Sequence, residues 1–72
     1  MKLETAKKIL NNLSKINNKS YVLSDDMEYV TIYNPFLKME TTEKTYDIEK
    51  FLKIEEFTTK RAIIDGIYNP LY

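Results

Sequence analysis

The sequence predicts a small α+β domain with element order α-β-β-β-α, a three-stranded antiparallel sheet and both helices on one face of it. Three observations carry that expectation. Residues 28–34, Glu-Tyr-Val-Thr-Ile-Tyr-Asn, alternate strictly, with Tyr29, Thr31 and Tyr33 on one side and Val30 and Ile32 on the other. That two-residue period, in strong β-formers, marks a half-buried central strand. Leu3, Ala6, Ile9, Leu10, Leu13 and Ile16 recur instead at helical spacing. Finally, Tyr46-Asp47-Ile48-Glu49 has the chemistry of a helix start, with Asp47 as N-cap and Glu49 in the electropositive first turn.

The first helix runs from about Leu3 to Ile16, with Glu4 and Lys8 as a favourable i,i+4 pair. Its polar face lacks a dense basic run and its apolar face lacks bulky aromatics, so it is expected to pack on the sheet and not on a membrane surface. Asn17-Asn18-Lys19-Ser20 ends it, because Asn tolerates the left-handed conformation at helix ends. A short strand from Tyr21 to Ser24 follows. Asp25-Asp26 turns it into the central strand, with the register open because no Asn-Gly or Asp-Gly is present.

Asn34-Pro35 marks the next turn. A third strand is expected from Phe36 to Thr41, with Leu37 and Met39 joining Val30 and Ile32 on the core side and Phe36 near Tyr33 on the outer side. Thr41 to Thr45 then reads as a polar loop. The last helix starts near Ile48, with Tyr46 and Phe51 placed for a hydrophobic staple. Ile48, Phe51, Leu52, Ala62 and Ile63 share one face, but Ile54, Phe57 and Ile64 fall on the opposite one. The helix is therefore either buried on two sides or broken near residues 55–58. In the broken form Thr58 caps a second helix through Asp65, with Phe57 and Ala62 in staple positions. Gly66 suits the position after that helix, and Asn69-Pro70 closes the chain.

Seventy-two residues fit a single domain spanning 1–72, near the lower size limit for independent folding. A core this small supplies a margin of only about 3–5 kcal/mol, so self-association is the simplest further source of stability. Cysteine and histidine are both absent, which excludes a disulfide framework and an ordinary zinc site and suits a reducing, cytoplasmic setting. No secretory signal is visible, and no window reaches the length of a membrane span. Net charge is zero but segregated: residues 1–19 carry a net +4, residues 20–59 a net −5, and the remainder +1. Non-specific nucleic-acid binding usually rests on one dominant positive field, which this layout lacks. The excess of Lys over Arg, with abundant Ile, Asn and Tyr, is the usage of AT-rich coding, as in a low-GC organism or its phages.

Catalytic chemistry has few candidates. There is no His or Cys, Ser14, Ser20 and Ser24 lack a base of that kind, and a single glycine excludes a Gly-rich phosphate loop. Asp25, Asp26 and Glu28 cluster at a turn and Glu55 adjoins Glu56, but their spacing matches no calcium loop, so they read as solvated charges. An enzyme, a cofactor and a metal are accordingly not expected.

Two surfaces remain. The outer sheet face, with Tyr29, Thr31, Tyr33 and Phe36 and with Tyr21 as a further candidate, is suited to a protein partner or to stacking on unpaired bases, unless a tail containing Tyr68, Leu71 and Tyr72 folds over it. Lys38 beside Glu28 and Glu40 balances the charge there and favours protein. Residues 48–67, if broken, resemble a helix-turn-helix with Lys60 and Arg61 near the start of the recognition helix. They depart from that pattern in placing Glu55 and Glu56 in the turn. The expected function is non-enzymatic protein binding, with possible self-association, by a phage or mobile-element accessory protein that regulates or inhibits a host protein. The alternative is a small DNA-binding regulator that uses Lys60 and Arg61.

Overall fold

The alternating tyrosine stretch is the middle strand of the sheet. The structure, a computed structural model, describes residues 1–64. Helix α1 (Leu3–Asn17) is followed by strands β1 (Ser20–Leu23), β2 (Tyr29–Asn34) and β3 (Met39–Lys44) and by helix α2 (Ile48–Ile64). The strands lie in the order β1-β2-β3, both pairs antiparallel, with Val22 opposite Thr31 and Thr31 opposite Thr42. The protein is thus a small compact α+β domain with the expected element order.

Asn18 ends α1 in the left-handed conformation, at φ 61°, and donates its N–H to the Ser14 carbonyl at 2.9 Å. The β1-β2 turn is held by side chains in place of a glycine. Asp26 Oδ1 accepts from Ser24 Oγ at 2.6 Å and from the Glu28 N–H at 2.9 Å, while Ser24 Oγ accepts from the Tyr29 N–H at 3.0 Å. These bonds set the register that turn composition alone left open.

The third strand departs from expectation. It begins at Met39, and residues 41–44 belong to it and not to a loop. Asn34 Oδ1 accepts from the Phe36 and Leu37 N–H groups at 3.0 and 3.3 Å, and Lys38 takes a left-handed φ of 53°. Residues 35–38 therefore close a four-residue hairpin loop between the paired Asn34 and Met39. Leu37 consequently sits in the turn, exposed, and does not join the core. Met39 shares the face of Val30 and Ile32 but is exposed there, because no helix packs closely on β3.

Helix α2 is one continuous helix from Ile48 to Ile64, so the break near residues 55–58 and the cap at Thr58 are not present. Asp47 caps it as expected, Oδ1 accepting from the Glu49 N–H at 3.0 Å. The staple is not formed: Tyr46, in a left-handed conformation at φ 60°, is 88% exposed. Leu52, Thr59 and Ala62 are buried, whereas Ile54, Phe57 and Ile64 on the opposite side are 64%, 71% and 76% exposed. The expected Gly66 cap, the Asn69-Pro70 closure and the covering tail of Tyr68, Leu71 and Tyr72 lie outside the described residues.

The core joins Ala6, Leu10 and Leu13 of α1 to Leu23, Val30, Ile32 and Leu52. Beside it Asn17 is wholly buried, its Nδ2 donating to Tyr21 Oη at 2.8 Å and to Thr59 Oγ1 at 3.2 Å, its Oδ1 accepting from the Lys19 N–H at 2.9 Å. This polar knot ties the end of α1 to β1 and to α2.

Candidate functional site

Strand alternation divides the sheet into a core face and an open face. Val30 and Ile32 close the core, so Tyr29, Thr31 and Tyr33 must point outward, where Tyr29 and Tyr33 are 46% and 40% exposed. Pairing extends this face onto both neighbours. Val22 stands opposite Thr31 and is 67% exposed; Glu40 stands opposite Tyr33, and Lys44 opposite Tyr29. Thr31 and Thr42 hydroxyls bond across β2 and β3 at 3.0 Å. The face is therefore an aromatic and aliphatic surface with a threonine centre, carrying one carboxylate and one ammonium on its β3 margin. Lys44 Nζ also lies 5.5 Å from the centroid of the Tyr46 ring, within cation–π range.

The structure gathers Tyr29, Thr31 and Tyr33 as expected and alters two further assignments. Phe36 is exposed but belongs to the turn at one end of the face, not to a strand row. Tyr21 lies on the core side, opposite Ile32, half-buried, with its hydroxyl donating to Glu55 Oε2 at 3.0 Å while accepting from Asn17. Val22 takes the outer position on β1. Its prominence depends on the β1-β2 register, which only the Ser24-Asp26 turn determines, and no residue pattern within β1 reports it.

Lys60 and Arg61 lie in the later turns of the unbroken α2, not at the start of a separate recognition helix, so the helix-turn-helix arrangement is absent. Lys60 pairs with Glu56 at 3.0 Å, an exposed i,i+4 bridge. Of the acids at the β1-β2 turn, Asp26 has a structural task. The Ser24 hydroxyl, and then the Glu28 N–H, hold the Asp26 carboxyl below the usual carboxylate range. No group of three or more His, Cys, Asp or Glu side chains is placed to hold a metal among the described residues. No helix among them is long and apolar enough to cross a membrane.

Comparison with known proteins finds no matching family, no similar curated protein and no similar solved structure.

Proposed function

We propose that the chain is a non-enzymatic protein-binding module that docks a partner on its outer sheet face through Tyr29, Thr31 and Tyr33, with Phe36 at the rim. The supporting observation is the division of labour across the sheet. The core closes on the Val30 and Ile32 side with residues of both helices, so the two tyrosines and Val22 are not needed to complete it, yet remain exposed on one face, the tyrosines flanking the Thr31 that Val22 opposes. Tyrosine gives large contact area with few rotors to immobilise, which suits the centre of a protein interface. Glu40 and Lys44 on the margin give the face no single sign of charge. That balance favours a protein over a nucleic acid, whose binding rests on phosphate neutralisation. The role proposed for it is that of a regulatory or inhibitory accessory protein of a phage or mobile element, a reading whose support is small size and AT-rich residue usage.

Affinity capture from a low-GC bacterial lysate, with and without nuclease, tests the reading. The unaltered chain is expected to retain a protein after nuclease that the combined Tyr29→Ser and Tyr33→Ser chain loses, while Lys60→Ala with Arg61→Ala leaves binding and its salt dependence unchanged. Loss of every partner after nuclease, or equal capture by the tyrosine variant, overturns it.

A further inference from the structure

The edge of β3 points to a second copy of this chain. It is the longer of the two edge strands, six residues against four, and all of its residues are exposed. It contains no proline or glycine that would interrupt pairing. The direction of its free backbone groups follows from the hydrogen bonds around it. Just past the strand the Thr45 N–H donates to the Glu28 carbonyl at 2.7 Å, toward β2. Alternation then turns the N–H and C=O of Met39, Thr41 and Glu43 toward β2, and those of Glu40, Thr42 and Lys44 outward. The residues with outward backbone groups are the ones whose side chains lie on the tyrosine face.

We infer that two copies join antiparallel through this edge, on a two-fold axis perpendicular to the sheet at Thr42, to form one continuous six-stranded sheet. Such an axis requires each residue to oppose one on the same face, so some residue must lie on it. Centring on Glu40 or on Glu43 would set two identical carboxylates against each other. Centring on Thr41 would bring Lys44 against the turn residue Lys38, a like charge. Centring on Thr42 sets Glu40 against Lys44 of the second copy, twice by symmetry, and gives every outward N–H and C=O of Glu40, Thr42 and Lys44 a partner. It also extends the observed Thr31–Thr42 hydroxyl pair into a threonine row across the junction. The outer face stays open, now with the tyrosines of both copies on one surface, so this inference stands apart from the proposed partner site.

Sedimentation equilibrium of the full chain over a range of concentrations tests it. The unaltered chain is expected to dimerise. Glu40→Lys alone and Lys44→Glu alone each place like charges opposite one another and are expected to weaken the dimer about tenfold. The two together restore the opposite pairing and the affinity. Thr42→Pro removes an outward N–H and no backbone bond to β2, its one loss on that side being the exposed hydroxyl contact with Thr31, so it is expected to give a monomer with an unchanged far-ultraviolet circular dichroism spectrum. The Tyr29→Ser, Tyr33→Ser chain is expected to dimerise as before, which separates this interface from the partner site. A chain that is monomeric throughout, a dimer indifferent to the charge variants, a double variant as weak as the singles, or a dimer lost with the tyrosines overturns the inference.

Discussion

Asn17 shows at the scale of one residue how a polar side chain can organise an apolar core. Its amide is wholly buried, and it supplies two donors and one acceptor to partners on three segments: Tyr21 on β1, Thr59 on α2 and the Lys19 backbone after α1. Removing it strands the buried Thr59 hydroxyl and the Lys19 N–H, and an unsatisfied buried polar group costs more than the bond itself contributed. Asn17→Ala is therefore expected to lower unfolding free energy by about 2 kcal/mol, measured by urea denaturation. Adding Thr59→Val to that variant should cost less than Thr59→Val does in the unaltered chain, because the hydroxyl it deletes is already orphaned. An additive pair would mean that the two side chains do not act as one network.

At the scale of elements, what decides a boundary is whether its signal is local. The cap of α2 is local: Asp47 Oδ1 meets the Glu49 and Lys50 N–H groups at 3.0 and 3.4 Å. Asp47→Ala is expected to cost about 1 kcal/mol, seen as a fall of several degrees in melting temperature. That start, the stripe of α1 and the alternation of β2 were legible because each is written in adjacent residues. The start of β3 was not legible. The four-residue loop has no glycine at its left-handed position, which Lys38 occupies, and Asn34 captures two backbone donors that Pro35 alone does not advertise. The continuity of α2 was obscured for another reason. Ile54, Phe57 and Ile64 read as residues seeking burial, which predicts either a helix buried on two sides or a break, whereas the continuous helix leaves them exposed. Of the site, Tyr29 and Tyr33 follow from β2 itself, while Val22, Glu40 and Lys44 follow only from pairing to strands whose registers are set by their turns.

For the molecule as a whole, the contrast between the two sides of α2 decides how thin its stability margin is. Only one layer of helices covers the sheet, and that layer stops short of β3, so the core reduces to a few aliphatic side chains around Val30, Leu10 and Leu52. A domain of this size holds roughly 3–5 kcal/mol of net stability. Leu52 is almost completely buried and is the residue by which α2 enters the core cluster. Truncating a buried leucine to alanine costs about 2–5 kcal/mol through lost transfer energy and the cavity left behind. Leu52→Ala is thus expected to remove most of the margin and leave the chain partly unfolded at ambient temperature. Phe57, five residues on and larger, is mostly exposed, so Phe57→Ser is expected to change stability by no more than about 0.5 kcal/mol. Thermal melts at several protein concentrations separate these effects from association. A chain stabilised by a second copy melts higher as concentration rises, and Thr42→Pro should abolish that dependence while leaving the Leu52 and Phe57 contrast in place. If Phe57→Ser proved as damaging as Leu52→Ala, the outer stripe of α2 would itself be buried in solution, and the one-sided burial of that helix would not hold there.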